Sequence, residues 1–122
     1  MARGIDRKSD PVLVGLVGRL KEAGRTNEAP IWRDIAKRLE KPTKARVVVN
    51  LSRIDRYANE GDTVLVPGKL LAAGAITKKV KVAAYHFSLA AMEKIEAAGG
   101  TCVGIDELAA SDPQGTNVKI LG

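Results

Sequence analysis

Apolar residues recur along this chain at two spacings, one helical and one alternating. Val12, Leu13, Leu16, Val17 and Leu20 form one face at helical spacing. Asp10-Pro11 opens this helix, since Asp can cap and Pro has no N–H to leave unsatisfied at a first helical position. The pattern predicts a helix to about Ala23, with Gly24 as its stop. Gly15 and Gly18 each weaken it by about 1 kcal/mol relative to Ala, and a close approach of another backbone would explain them. A second helix is predicted from Pro30 to about Glu40, with Ile31, Trp32, Ile35, Ala36 and Leu39 as its apolar stripe. Trp32 is expected in the core. Arg33, Lys37 and Lys41 share a different row, and Asp34 and Arg38 are spaced to pair. Lys41-Pro42 ends the helix. Arg46 to Val49 reads as a β-branched strand. Asn50 then caps a short helix, Leu51 to Ala58, with Leu51, Ile54 and Ala58 inward and Arg53 and Arg56 outward.

The segment from Asp62 to Gly100 carries the densest agreement of local signals. Thr63 to Val66 is a short apolar strand, which Pro67-Gly68 is expected to stop. Lys69 to Leu71 leads into a glycine-bearing turn. Lys79 to Ala84 alternates, with Val80, Val82 and Ala84 on the packed side and Lys79 and Lys81 on a side expected to stay open. A helix follows, capped by Ser88 and closed by Gly99-Gly100, with Ala91, Met92, Ile95 and Ala98 on one face. Thr101 to Val103 is a further strand, Asp106 to Ala110 a brief helix, Asp112 to Gly115 a turn, and Val118 to Leu121 a last strand. Strands alternating with helices define an α/β fold. The expected sheet is small, irregular and mostly parallel, with flanking helices and an N-terminal helical portion that carries a basic tail. The expected division is residues 1–28 for the tail and first helix, and 29–122 for a globular α/β domain.

Charge adds an asymmetry. The net charge is +6 over 122 residues. Met1 to Arg56 holds 14 Lys and Arg against 7 Asp and Glu, or +7, and the remainder holds 6 against 7, or −1. All nine arginines lie in the first part. Arginine's planar fork of donors suits phosphate, so the excess points to a polyanionic partner; a solvated basic surface is the plainer alternative. The tail, with Arg3, Arg7 and Lys8, is either disordered or a basic arm ordered on a polyanion. With one cysteine, Cys102, no intramolecular disulfide is possible. That and the short apolar runs fit a soluble cytoplasmic protein without a membrane partner.

No catalytic set emerges. His86 is the only histidine, and no nucleophile is signalled as its partner; a structural or phosphate-contacting role fits it better. One His and one Cys do not make a metal site. Gly68-Lys69 and Gly74 suggest a phosphate loop, but Leu70 follows Lys69 and Thr63 stands where the first glycine belongs. No cofactor or small-molecule substrate is therefore expected. With aromatics at 3%, contacts to phosphate and ribose that read the shape of a folded RNA are expected over base stacking. The candidates are Arg3, Arg7, Lys8, Arg33, Lys37, Lys44, Arg46, Arg53, Arg56, Lys69, Lys78, Lys79 and Lys81. Two alternatives stand beside this reading: a small α/β enzyme binding a phosphorylated ligand near Gly68 and Gly74, and an RNA chaperone that works as a free protein.

Three stretches carry a family resemblance: APIWRDIAKRLEKP at Ala29 to Pro42, VNLSRIDRYANEGDTVLVPGKLL at Val49 to Leu71, and KKVKVAAYHFSLAAMEKIEAAGG at Lys78 to Gly100. With them the chain resembles, over nearly its whole length, the archaeal and eukaryotic eighteen-e family of large-subunit ribosomal proteins, related to bacterial large-subunit ribosomal protein fifteen. The compact length resembles the archaeal members. Ala72 departs from a glycine pair expected around the turn at Gly74. The resemblance implies a structural constituent of the cytoplasmic large ribosomal subunit, with rRNA and neighbouring ribosomal proteins as partners and no enzymatic activity.

Overall fold

A computed structural model describes residues 11–41 and 46–121. The expected Asp10 cap lies outside them. Helices α1 (Pro11–Thr26) and α2 (Pro30–Leu39) come first, followed by strand β1 (Val47–Asn50) and helix α3 (Leu51–Tyr57). Then come β2 (Thr63–Leu71), β3 (Lys81–Phe87), α4 (Leu89–Ala97), β4 (Thr101–Val103), α5 (Ile105–Ser111) and β5 (Val118–Ile120). The strands run in the order β1-β2-β3-β4, with β5 also on β2, and every described pair is parallel. The expected α/β class and parallel sheet are what the chain forms.

Both faces of the sheet are covered. α1, α2 and α5 pack on one face, where Leu13, Leu16, Leu20, Trp32, Ile35 and Leu108 meet Leu65 and Ala83. α3 and α4 pack on the other, where Leu51, Ile54, Ala91 and Ile95 meet Val64, Val66, Val82 and Ala84. β3 starts at Lys81 rather than Lys79, and the predicted packed side holds for Val82 and Ala84 and for Val80 just before it. Its opposite side is not open along its length, because Ala83 is buried under the α1–α2–α5 layer. Trp32 is fully buried, and its indole Nε1 donates to the carbonyl oxygen of Pro113 at 2.7 Å.

Local expectations meet tertiary constraints at three places. Pro67-Gly68 does not stop the strand; β2 continues to Leu71. β5 lies along Thr63 to Leu65 and β1 along Gly68 to Leu71. β3 takes the other edge, so β1 and β5 share one edge and leave a gap at Pro67. Pro67, which has no N–H to offer, sits in that gap, and the register with β3 shifts between Val66 and Lys69. Secondly, α1 runs through Gly24 to Thr26. Gly24, rather than Gly15 or Gly18, is the close approach: a Cβ there would lie 2.6 Å from Cγ of Arg33, whereas Gly18 faces open space. Val12 points outward instead of joining the apolar face. Thirdly, Asn50 stands at the N-cap of α3 without capping it. Its Oδ1 accepts instead from the amide of Ala73 at 3.3 Å, drawing the β2–β3 connection onto α3. At α4 the sequence signals hold: Ser88 accepts from the Ala91 amide at 3.1 Å, and Gly99 has a φ of +87°.

Candidate nucleic-acid interface

The basic row of α2 forms because its apolar stripe is buried. With Trp32, Ile35, Ala36 and Leu39 turned inward, Arg33, Lys37 and, just beyond the helix, Lys41 face solvent. One groove between α1 and α2 is lined by Lys21, Arg25, Arg33 and Lys37, with Glu28 and Glu40 at its walls. A second lies where α2 ends beside β1 and holds Lys37, Arg38, Lys41 and Arg46, with Asp34. A third, on the sheet beside β1, is lined by Arg46, Val48, Lys69, Tyr85 and His86 among others. Lys37 and Arg46 link the three into one track.

The track divides by charge pairing. Lys21 pairs with Glu40 at 3.1 Å, Arg38 with Asp34 at 3.4 Å as the spacing predicted, and Arg25 with Glu22. The hydrogen bonds from Arg25 and Thr26 hold the Glu22 carboxyl below its ordinary range. Arg33, Lys37, Lys41, Arg46 and Lys69 enter no ion pair among the described residues. Arg46 is nonetheless held in place. Its Nε donates to the Lys41 carbonyl at 3.2 Å, and its guanidinium lies 5.4 Å from the centre of the Tyr85 ring. Such a cation–π contact fixes the side chain and leaves its charge intact.

The remaining candidates do not join this track. Arg53 and Arg56 are exposed on α3, in the layer across the sheet, and enter no ion pair among the described residues. Lys81 opens β3 and Lys79 lies two residues before it. Lys81 is five residues from His86 along the chain, or about 16 Å along an extended strand. Lys78 is tied inward: its ammonium donates to the carbonyl oxygens of Asp55 and of Ala58, at the end of α3. Arg3, Arg7, Lys8 and Lys44 lie outside the described residues. Sequence reasoning left out Lys41, although it falls in the i, i+4, i+8 row of Arg33 and Lys37. It also left out Lys21 and Arg25, whose place beside α2 follows only from helix packing.

The glycines do not form a phosphate cradle. A Cβ at Gly68 would lie 2.2 Å from the Val47 carbonyl oxygen, and one at Gly74 would lie 2.5 Å from Cβ of Ser52. On the side where a Cβ would stand, the space at each is filled by the protein itself, so packing accounts for both glycines. Among the described residues no group of His, Cys, Asp or Glu could hold a metal ion, and no helix is long and apolar enough to cross a membrane.

Residues 3–122 match the model of a family described as ribosomal protein 60S L18 and 50S L18e. The chain belongs to this L18/L18e family of ribosomal proteins. Curated relatives named "Large ribosomal subunit protein eL18" cover it almost end to end. That of Methanosphaerula palustris is 52% identical, spanning 94% of this chain and 95% of the relative. That of Archaeoglobus fulgidus is 47% identical, over 94% and 98%. That of Thermoplasma volcanium is 41% identical, over 99% of both. All three organisms are archaea. As a member of the L18/L18e family the chain is a ribosomal protein and not an enzyme, so the phosphate-binding enzyme considered from Gly68 and Gly74 is set aside. Packing at the Cβ side of both glycines accounts for them without a ligand.

Proposed function

We propose that this chain is a structural constituent of the large ribosomal subunit in the cytoplasm, where it binds and stabilises folded rRNA through phosphate and ribose contacts. One observation carries the reading. Arg33, Lys37, Lys41, Arg46 and Lys69 line connected grooves and enter no ion pair among the described residues. Like charges gathered on one surface repel until a polyanion neutralises them. Arg53 and Arg56 on α3, with Lys79 just before β3 and Lys81 at its start, supply further contacts on other faces. A protein embedded in folded RNA would meet phosphates from several sides. Arg3, Arg7, Lys8 and Lys44 extend the contact set, with neighbouring large-subunit proteins as the other partners.

Each neutralised phosphate releases counterions, so binding to large-subunit rRNA should weaken steeply with salt. Five contacts correspond to a log–log slope of about −4. A slope near zero would refute the electrostatic mechanism. Absence of the chain from large subunits sedimented out of a cell lysate would refute the placement.

A further inference from the structure

Three residues far apart in sequence lie side by side on the sheet. Val48 is the register partner of Lys69, and Lys69 of His86, so one row crosses β1, β2 and β3. Side chains of such partners stand on the same face. All three are exposed, Val48 at 55%. Their neighbours one residue on, Val49, Leu70 and Phe87, belong to the core under α3 and α4. The row therefore occupies the opposite face, at an end that α1, α2 and α5 leave bare. Tyr85 and His86 line the same groove there, so the alternation that puts Val82 and Ala84 under α3 and α4 breaks between Tyr85 and His86, beside the register shift of β2. Arg46, fixed over the Tyr85 ring, borders the same groove, and none of the residues lining it is acidic.

We propose that this bare end of the sheet is a slot for one unpaired nucleotide of the rRNA. It rests on the rRNA-binding reading above and refines it from phosphate contact to base contact. The base stacks on the His86 imidazole, with Val48 against its apolar edge or ribose. Lys69, between them, and Arg46, at the side, neutralise the flanking phosphates. The chemistry of the row singles out a nucleotide. A duplex offers phosphate but no open base face, whereas an unstacked nucleotide offers both an aromatic plane and an anion. An exposed Val next to two cationic side chains matches that pairing of apolar and anionic surface. An aromatic ring on an open sheet is a stacking platform tolerant of base identity.

Binding of the full chain to full-length large-subunit rRNA tests the slot, measured by filter binding over a salt series. His86→Ala should weaken binding about tenfold at every salt concentration, as loss of a stacked base does, with the slope unchanged. His86→Phe should restore the affinity and His86→Lys should not. Lys69→Ala should instead reduce the slope by about one. Ultraviolet crosslinking of the wild-type complex should join RNA to the peptide holding Tyr85 and His86. The slot is overturned if His86→Ala binds like wild type. It is equally overturned if lysine rescues and phenylalanine does not, since His86 would then be a phosphate contact. Either result leaves the rRNA reading standing. Failure of the wild-type chain to bind rRNA would defeat that reading itself. Circular dichroism of each variant separates lost contact from lost fold.

Discussion

The ammonium of Lys78 donates to the carbonyl oxygen of Ala58 at 2.7 Å, and it also donates to that of Asp55. Both oxygens belong to the C-terminal end of α3, whose last carbonyls have no partner inside the helix and carry the negative end of its dipole. Lys78 thus closes α3 from a loop 20 residues away, and its charge is turned from solvent. Lys78→Met should lower stability by about 1 kcal/mol and leave the salt slope of rRNA binding unchanged. Urea denaturation and filter binding check the two halves. A lower slope would mean that Lys78 reaches phosphate after all.

Gly68 and Gly18 make opposite predictions from the same change. Gly68→Ala would place a methyl group 2.2 Å from the Val47 carbonyl oxygen. β1 must then move off β2, at a cost of about 3 kcal/mol or more. Gly18→Ala meets nothing within 4 Å inside α1. It should stabilise by about 1 kcal/mol through helix propensity and a less flexible unfolded chain. Equal effects in urea denaturation would contradict the packing described for β1.

Two carboxylates make the fold acid-sensitive. Hydrogen bonding from Lys119, at 2.8 Å, and then from the Asn59 amide holds the Asp62 carboxyl below its ordinary value of 3.8. The amide and hydroxyl of Thr77, each at 2.8 Å, do the same for Asp55. A depressed folded-state pKa means that the unfolded chain takes up protons first. The stabilisation is therefore complete above the ordinary value and is lost as pH falls below it towards the folded value. Thermal melts from pH 7 down to pH 2 should show stability dropping in that acid range. Asp55→Asn and Asp62→Asn should each lower the melting temperature at neutral pH and flatten the acid limb.

Arg33 and Lys37 test the basic track. Each single change to Ala should lower the salt slope of rRNA binding by about one. Both residues are exposed on the polar side of α2, so circular dichroism should show an unchanged fold. An unchanged slope in both variants would remove the α1–α2 grooves from the interface.

Cys102 should be a slow thiol. Burial, and then the charge of Glu96, push its pKa up to about 11, so little thiolate exists near neutral pH. Alkylation by iodoacetamide at pH 8 should run well behind that of a free cysteine. A comparable rate would mean that β4, at the edge of the sheet, opens readily.

Local pattern determined much of this molecule. The helical spacing of Ile31, Trp32, Ile35 and Leu39 settled which side of α2 is buried, and with it that Arg33 and Lys37 face outward. Ser88 and Gly99 bounded α4, because capping and left-handed backbone are matters of neighbouring residues. Alternation set the packed side of β3. What local pattern does not contain is register. Pro67 reads as a strand end until β1 and β5 are seen to share one edge of β2 and leave a gap for it. Lys78 reads as another solvent-facing cation until the β2–β3 connection folds onto α3. Val48, Lys69 and His86 become neighbours only when three parallel strands align. Parallel strands are joined by long crossovers, so their pairing depends on contacts remote in sequence, and no period along the chain records it. Composition and spacing determined that the chain is a basic α/β protein, and tertiary structure decided which of its cations share a surface.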